Sequence, residues 1–177
     1  MKQTIIAVIC FLCVSSLYIQ AQKINHPSLL YTPQRIQQVK QRMQHEPKLQ
    51  EAWGDIKKTA DEALQKKDFN RLDYLSLAYL VTDNKEYADA IKEILLKAVE
   101  AESWGDVEMM ARIPAWRSQL GMAHKSFLSA VGYDAAYNVM SSSERKKIAE
   151  GLKRLAVEPA LGDWLLEPYS LIEFDGT

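Results

Sequence analysis

Between Glu102 and Gln119, the one long stretch that does not read as amphipathic helix, the chain gathers Trp104, Arg112, Trp116, Arg117 and Gln119, and His124 follows on the helix into which the stretch opens. Indole faces beside guanidinium groups are the pairing that holds an anionic, ring-shaped ligand, the ring stacking while the fork donates to the anion. A break between helices can aim such side chains outward, where a helix face must bury them. Each residue also has a plainer use. Trp104 and Trp116 could stack on sugar rings or cover an apolar seam, since indoles are usually well buried. On a helix expected from about Pro114 to Val139, Arg117, Leu120, His124, Phe127, Leu128, Val131 and Asp134 fall on one side. That arc places His124 either in a cavity wall below an anion-holding Arg117, or in the core with Arg117 and Asp134 at its wetter ends. Tyr133 and Tyr137 could offer a phenol as base, or pack against the adjacent helix. His26 and His45 read as isolated and exposed.

Other chemistries lack their residues. The sequence has no helical His pair, acidic calcium loop, glycine-rich phosphate cradle or serine elbow, so neither metal nor cofactor is expected. Carboxylate pairs are plentiful but fall on faces that read as solvated helix. Both cysteines, Cys10 and Cys13, lie in the first 21 residues. There Lys2 precedes an uncharged run from Ile5 to Leu17, and Ile19-Gln20-Ala21 ends in a small residue. This is the pattern of a secretory signal peptide over 1–21, too short for a comfortable membrane span. Ile9 and Leu12 precede the cysteines, which argues against lipidation. Cleavage would leave residues 22–177 without a thiol, and hence without a disulfide or a cysteine nucleophile, as suits a periplasmic or secreted protein with no membrane segment. The net charge of −1 becomes one unit more negative when Lys2 is lost, which is no footprint for nucleic acid.

The elements that must position the stretch are helices. Thr32-Pro33 is a cap and first-position proline for a helix carrying Ile36, Val39 and Met43. Glu46-Pro47 restarts the chain into Leu49, Trp53, Ile56, Ala60 and Leu64. Asn70 opens a helix with Leu72, Leu75, Ala78 and Tyr79. Thr82-Asp83-Asn84 turns it into another with Tyr87, Ile91, Ile94 and Leu95, an antiparallel hairpin. Ser141 and Glu144 fit a capping box for a helix with Ile148, Leu152 and Leu155, and Glu158-Pro159 starts a last short one. The class is all-α, built of successive antiparallel helical hairpins. A solenoid, an incomplete α/α toroid or a bundle would each fit, although no strict repeat is present. After Glu167-Pro168 the chain reads as a connection, from which a fragment or a frayed end is expected.

The segment His26-Pro27-Ser28-Leu29-Leu30-Tyr31-Thr32-Pro33 resembles the start of heparinase II/III-like polysaccharide lyases. Leu75 to Asp83 with Lys85-Glu86-Tyr87-Ala88, and Trp116-Arg117-Ser118-Gln119-Leu120 with Tyr133 to Tyr137 and Ser143-Glu144-Arg145, are similar to that family too. These are helix-packing motifs, moderately specific together and weak singly. The resemblance implies that 22–177 is the N-terminal portion of an α/α toroid, with the rest of the toroid and a β-sandwich missing. It also implies β-elimination on uronic-acid polysaccharide. The family's Asn-His segment and late toroid Tyr are not matched here, so no catalytic residue is carried over, and this chain alone is expected to be inactive. The expected partner is an acidic polysaccharide, touched by Arg112, Trp116, Arg117, Gln119 and His124. A non-catalytic helical module binding glycan or protein, and a toroidal glycoside hydrolase with two facing carboxylates, are the alternatives.

Overall fold

The computed structural model describes residues 24–111 and 116–166. The leader expected over 1–21, Arg112 and the connection after Glu167 lie outside the described residues. Within them the chain is all-helical: α1 Pro33–Met43, α2 Pro47–Lys66, α3 Leu72–Thr82, α4 Lys85–Ala98, α5 Leu120–Ala136 and α6 Ser142–Leu152. A 3-10 turn, Phe69–Arg71, leads into α3, and one helical turn, Val107–Met110, interrupts the connection from α4 to α5. Beyond α6 the helix runs on through a wide π-type turn at Lys153–Val157, a normal turn at Glu158–Leu161 and a second wide turn at Gly162–Leu166. No described helix is long and apolar enough to cross a membrane.

Local chemistry sets the boundaries. Thr32 accepts from the Arg35 amide, and Asn84 from that of Glu86 at 3.0 Å. Ser141 and Glu144 complete a reciprocal capping box, satisfying amides that a helix start leaves open. Lys67 and Asp83 end α2 and α3 in the left-handed region, at φ 50° and 58°. The helix expected from Asn70 begins at Leu72 instead, because Asp68 accepts from the Asn70 amide and holds a 3-10 turn first.

α3 is the middle of the molecule, with α2, α4 and α5 packed around it. Its sequence, Leu-Asp-Tyr-Leu-Ser-Leu-Ala-Tyr-Leu-Val-Thr, is apolar nearly all round, as a helix with neighbours on several sides requires. The buried Ser76 hydroxyl donates back to the Leu72 carbonyl, so that burial leaves it satisfied. Leu72, Leu75, Ile91, Leu95, Leu128 and Ile148 are fully buried, and truncating any of them to alanine should cost about 2–5 kcal/mol. α6 reaches this core through Gly151. A methyl there would overlap the side chain of Val99, so only glycine lets the two backbones approach so closely.

Candidate functional site

The helix expected from Pro114 starts at Leu120, and residues 116–119 are not helical. A buried carboxylate is the cause. Asp163 Oδ2 accepts from the backbone amides of Arg117 and Ser118, both at 2.6 Å, and those amides then serve an extended strap rather than a helix. Asp163 Oδ1 accepts from Arg117 Nε and Nη2 at 2.9 and 2.7 Å. Burial alone would raise the Asp163 pKa. The donors from Arg117 and Ser118 outweigh burial and hold it below the usual carboxylate range. Ser118 adds a bond from its hydroxyl to the Pro159 carbonyl. Asp163 lies in the second wide turn, which leaves it 2% exposed while its neighbour Trp164 is 54% exposed.

Trp116 packs edge-on against Trp164, with centroids 5.2 Å apart. The two indoles and the half-exposed guanidinium of Arg117 thus share one surface. Arg117 does not stand there as a free cation, however. Its charge is balanced by Asp163, and among the described residues only Nη1 is left without a partner. The arrangement suits stacking and directed hydrogen bonding better than long-range capture of charge. Gln119, the residue before α5, has a buried side-chain nitrogen with no partner among the described residues.

His124 is exposed, as are Leu120 at 90% and Phe127 at 52%, while Leu128, Val131 and Asp134 are buried. The arc drawn from the sequence therefore splits. Its first half faces solvent and its second half faces the core, so His124 occupies neither a cavity wall nor the interior. Trp104 resolves as a seam residue: it is buried, its N–H donates to the Ala98 carbonyl, and Phe69 lies against it.

A second buried carboxylate corrects two expectations. Asp134 is in the core rather than at a wet end, and His26 is not isolated: its Nδ1 lies 2.5 Å from Asp134 Oδ1. Asp134 also accepts from the amides of Ser28 and Leu29, each at 2.8 Å to Oδ2. Burial raises its pKa, but the Leu29 amide, His26 and the Ser28 amide together bring it below the ordinary value. The His26 ring stacks on Tyr137 at 3.8 Å, and Arg145 sits over that same phenol ring. A carboxylate behind an imidazole can orient it as a base. Here most of the carboxylate's bonds go to the backbone of residues 28 and 29, so it fastens the lead-in segment. Two phenols, Tyr133 and Tyr31, hold their protons more firmly than an ordinary tyrosine, so neither is ready to accept one. Burial and the neighbouring Tyr137 raise Tyr133 despite Arg145, and burial with the Asp73 carboxylate pushes Tyr31 up to about 12.

Asp163 is what the sequence reading missed. It stands 46 residues from Arg117 in a stretch that reads as an ordinary short helix, and no local pattern marks it as buried. Comparison of the chain with protein-family models, with curated proteins and with solved structures gave no match.

Proposed function

We propose that this chain is the N-terminal, helical portion of a secreted polysaccharide lyase acting on uronic-acid polymers, in which it holds the sugar chain and does not break it. The observation that carries the reading is the surface made by Trp116, Trp164 and Arg117. Two indoles offer apolar faces to sugar rings, and a guanidinium locked by Asp163 keeps one nitrogen for a ligand oxygen. A donor fixed before binding loses little freedom when the ligand arrives. Leu120 and Phe127, exposed along α5, suit a flank on which further hairpins of a toroid pack.

The test uses the full-length protein with polygalacturonate and alginate. Retention in affinity gels, accompanied by the ultraviolet absorbance of an unsaturated uronate, supports the reading. Trp164→Ala should weaken retention about tenfold, the worth of one good aromatic contact. Retention without that absorbance makes the chain a non-catalytic glycan module, and new reducing ends without it make it part of a hydrolase. No retention of either polymer, or equal retention by Trp164→Ala, overturns the reading.

A further inference from the structure

A second feature lies where the ends of α2 and α4 meet α5. Lys66, Lys67, Asn70, Glu93, Lys97, Ser103 and Lys125 rim a cleft of about 660 Å³, and Phe69, Ile94, Ala98 and Trp104 line it. We infer that this cleft is a binding subsite for an acidic sugar unit, its anionic group held among Lys66, Lys97 and Lys125 and its ring lying over the apolar lining. The inference rests on the glycan-binding reading above and gives that reading a charged subsite, which the neutralised Arg117 does not supply.

Three observations carry it. The first is charge. Four lysines face one glutamate, and that glutamate, Glu93, is taken by Lys67. Lys66, Lys97 and Lys125 have no acidic partner among the described residues, although pairs of opposite charge are common elsewhere on this surface. Cations gathered around a concavity with low-dielectric walls repel one another and focus a positive potential into it. An anion relieves the repulsion.

The second is position. Lys66, Lys67 and Lys97 sit at helix C-termini, where the macrodipole favours cations, so these three have an ordinary explanation. Lys125 has none. It comes from the N-terminal third of α5, where the dipole offers a cation nothing, and it is half-buried at the cleft instead of out in solvent.

The third is shape and lining. The volume falls within the range of small-molecule sites and holds one or two sugar rings. Its polar groups, the Asn70 amide and the Ser103 hydroxyl, can both donate and accept, which matches ring hydroxyls. A bare inorganic anion would leave the apolar lining unused, and an extended nucleic acid needs a longer basic track than this short, half-open cleft provides.

Isothermal titration of the full-length protein with tetragalacturonate, with the neutral tetrasaccharide maltotetraose and with inorganic phosphate tests the assignment. Tetragalacturonate should bind, weaken with added salt, and lose at least fivefold in affinity in Lys125→Gln and again in Lys97→Gln. Maltotetraose and phosphate should each bind at least tenfold more weakly than tetragalacturonate. Circular dichroism melting identifies any variant that fails to fold, in which case Lys125→Arg, which keeps the charge, should retain wild-type affinity. Equal binding of the acidic and neutral sugars overturns the inference, as does phosphate binding as tight as that of the sugar, or full affinity in both lysine variants. If Trp164→Ala loses tetragalacturonate while the lysine variants do not, this cleft is refuted and the wider reading stands. If no acidic sugar binds at all, both fall.

Discussion

Two buried carboxylates do the same mechanical task for two separate straps of the chain. Asp134 gathers His26 and the amides of Ser28 and Leu29, and Asp163 gathers the Arg117 side chain and the amides of Arg117 and Ser118. Each converts an extended strap into part of the fold by taking two consecutive N–H groups and one basic side chain. They differ in what lies behind them. Asp134 belongs to α5, which packs on α3 and α4 and is surrounded by buried Val131, Ala135 and Ala136. Asp163 belongs to a wide turn flanked by exposed Leu161, Trp164 and Leu165. One fastening is set in the core, while the other holds a surface together. A rigid strap beside exposed aromatics fits a place of contact, whereas a strap sewn to the centre fits stability alone.

The two fastenings separate most clearly when each carboxylate is removed. Asp134→Ala should lower the unfolding free energy in urea by about 3–4 kcal/mol, since it strands several buried donors at once. Asp163→Ala should cost about half as much, and hydrogen exchange should localise its effect to residues 116–119. Equal losses for the two variants would erase the distinction between core and surface. Gly151→Ala tests the seam that joins the two regions through α6, and overlap with Val99 should cost about 1–3 kcal/mol in the same assay.

Acid provides a milder probe. Both carboxylates have folded-state pKa values below their ordinary ones. Their contribution is therefore fully present above the ordinary carboxylate range and is lost as pH falls through it toward the lowered folded values. Melting temperatures should drop as pH goes below about 4, and Asp134→Asn and Asp163→Asn should each flatten that drop. An unchanged profile in both variants would remove the carboxylates from the account. Arg117→Lys, which keeps the charge but loses the fork, should cost about 1 kcal/mol and sharpen how much of the second fastening is side chain. His124→Ala should stay within about 0.5 kcal/mol of wild type, as befits an exposed position. A larger loss would restore the core histidine that was one of the two placements the arc allowed.

What could be read in advance follows how local the chemistry is. The caps at Thr32, Asn84 and Ser141 act over two or three residues, so the sequence displays cap and helix together. The turn at Asp83 and the restart at Pro47 were legible for the same reason. The straps were not. Asp134 reaches back 108 residues to His26, and Asp163 reaches back 45 to Ser118. In the sequence each looks like one more acid on a helix. The arc through His124 failed because periodicity says which residues share a side, not which half of a long helix has a neighbour. The lysine-lined cleft was hidden likewise, since its walls come from three helices, the turn before α3 and the loop after α4.

Arg154 sets an order of events. Its guanidinium donates to the carbonyls of Val99, Ala101 and Glu102, closing the chain just after α4. In chain order these carbonyls come 52 residues or more before the arginine that satisfies them. α3 and α4 can pair as soon as they are made, but the loop that follows has to wait for a later helix. During that interval the loop is the natural point of attack for a protease, and its closure reports that the last helix has docked.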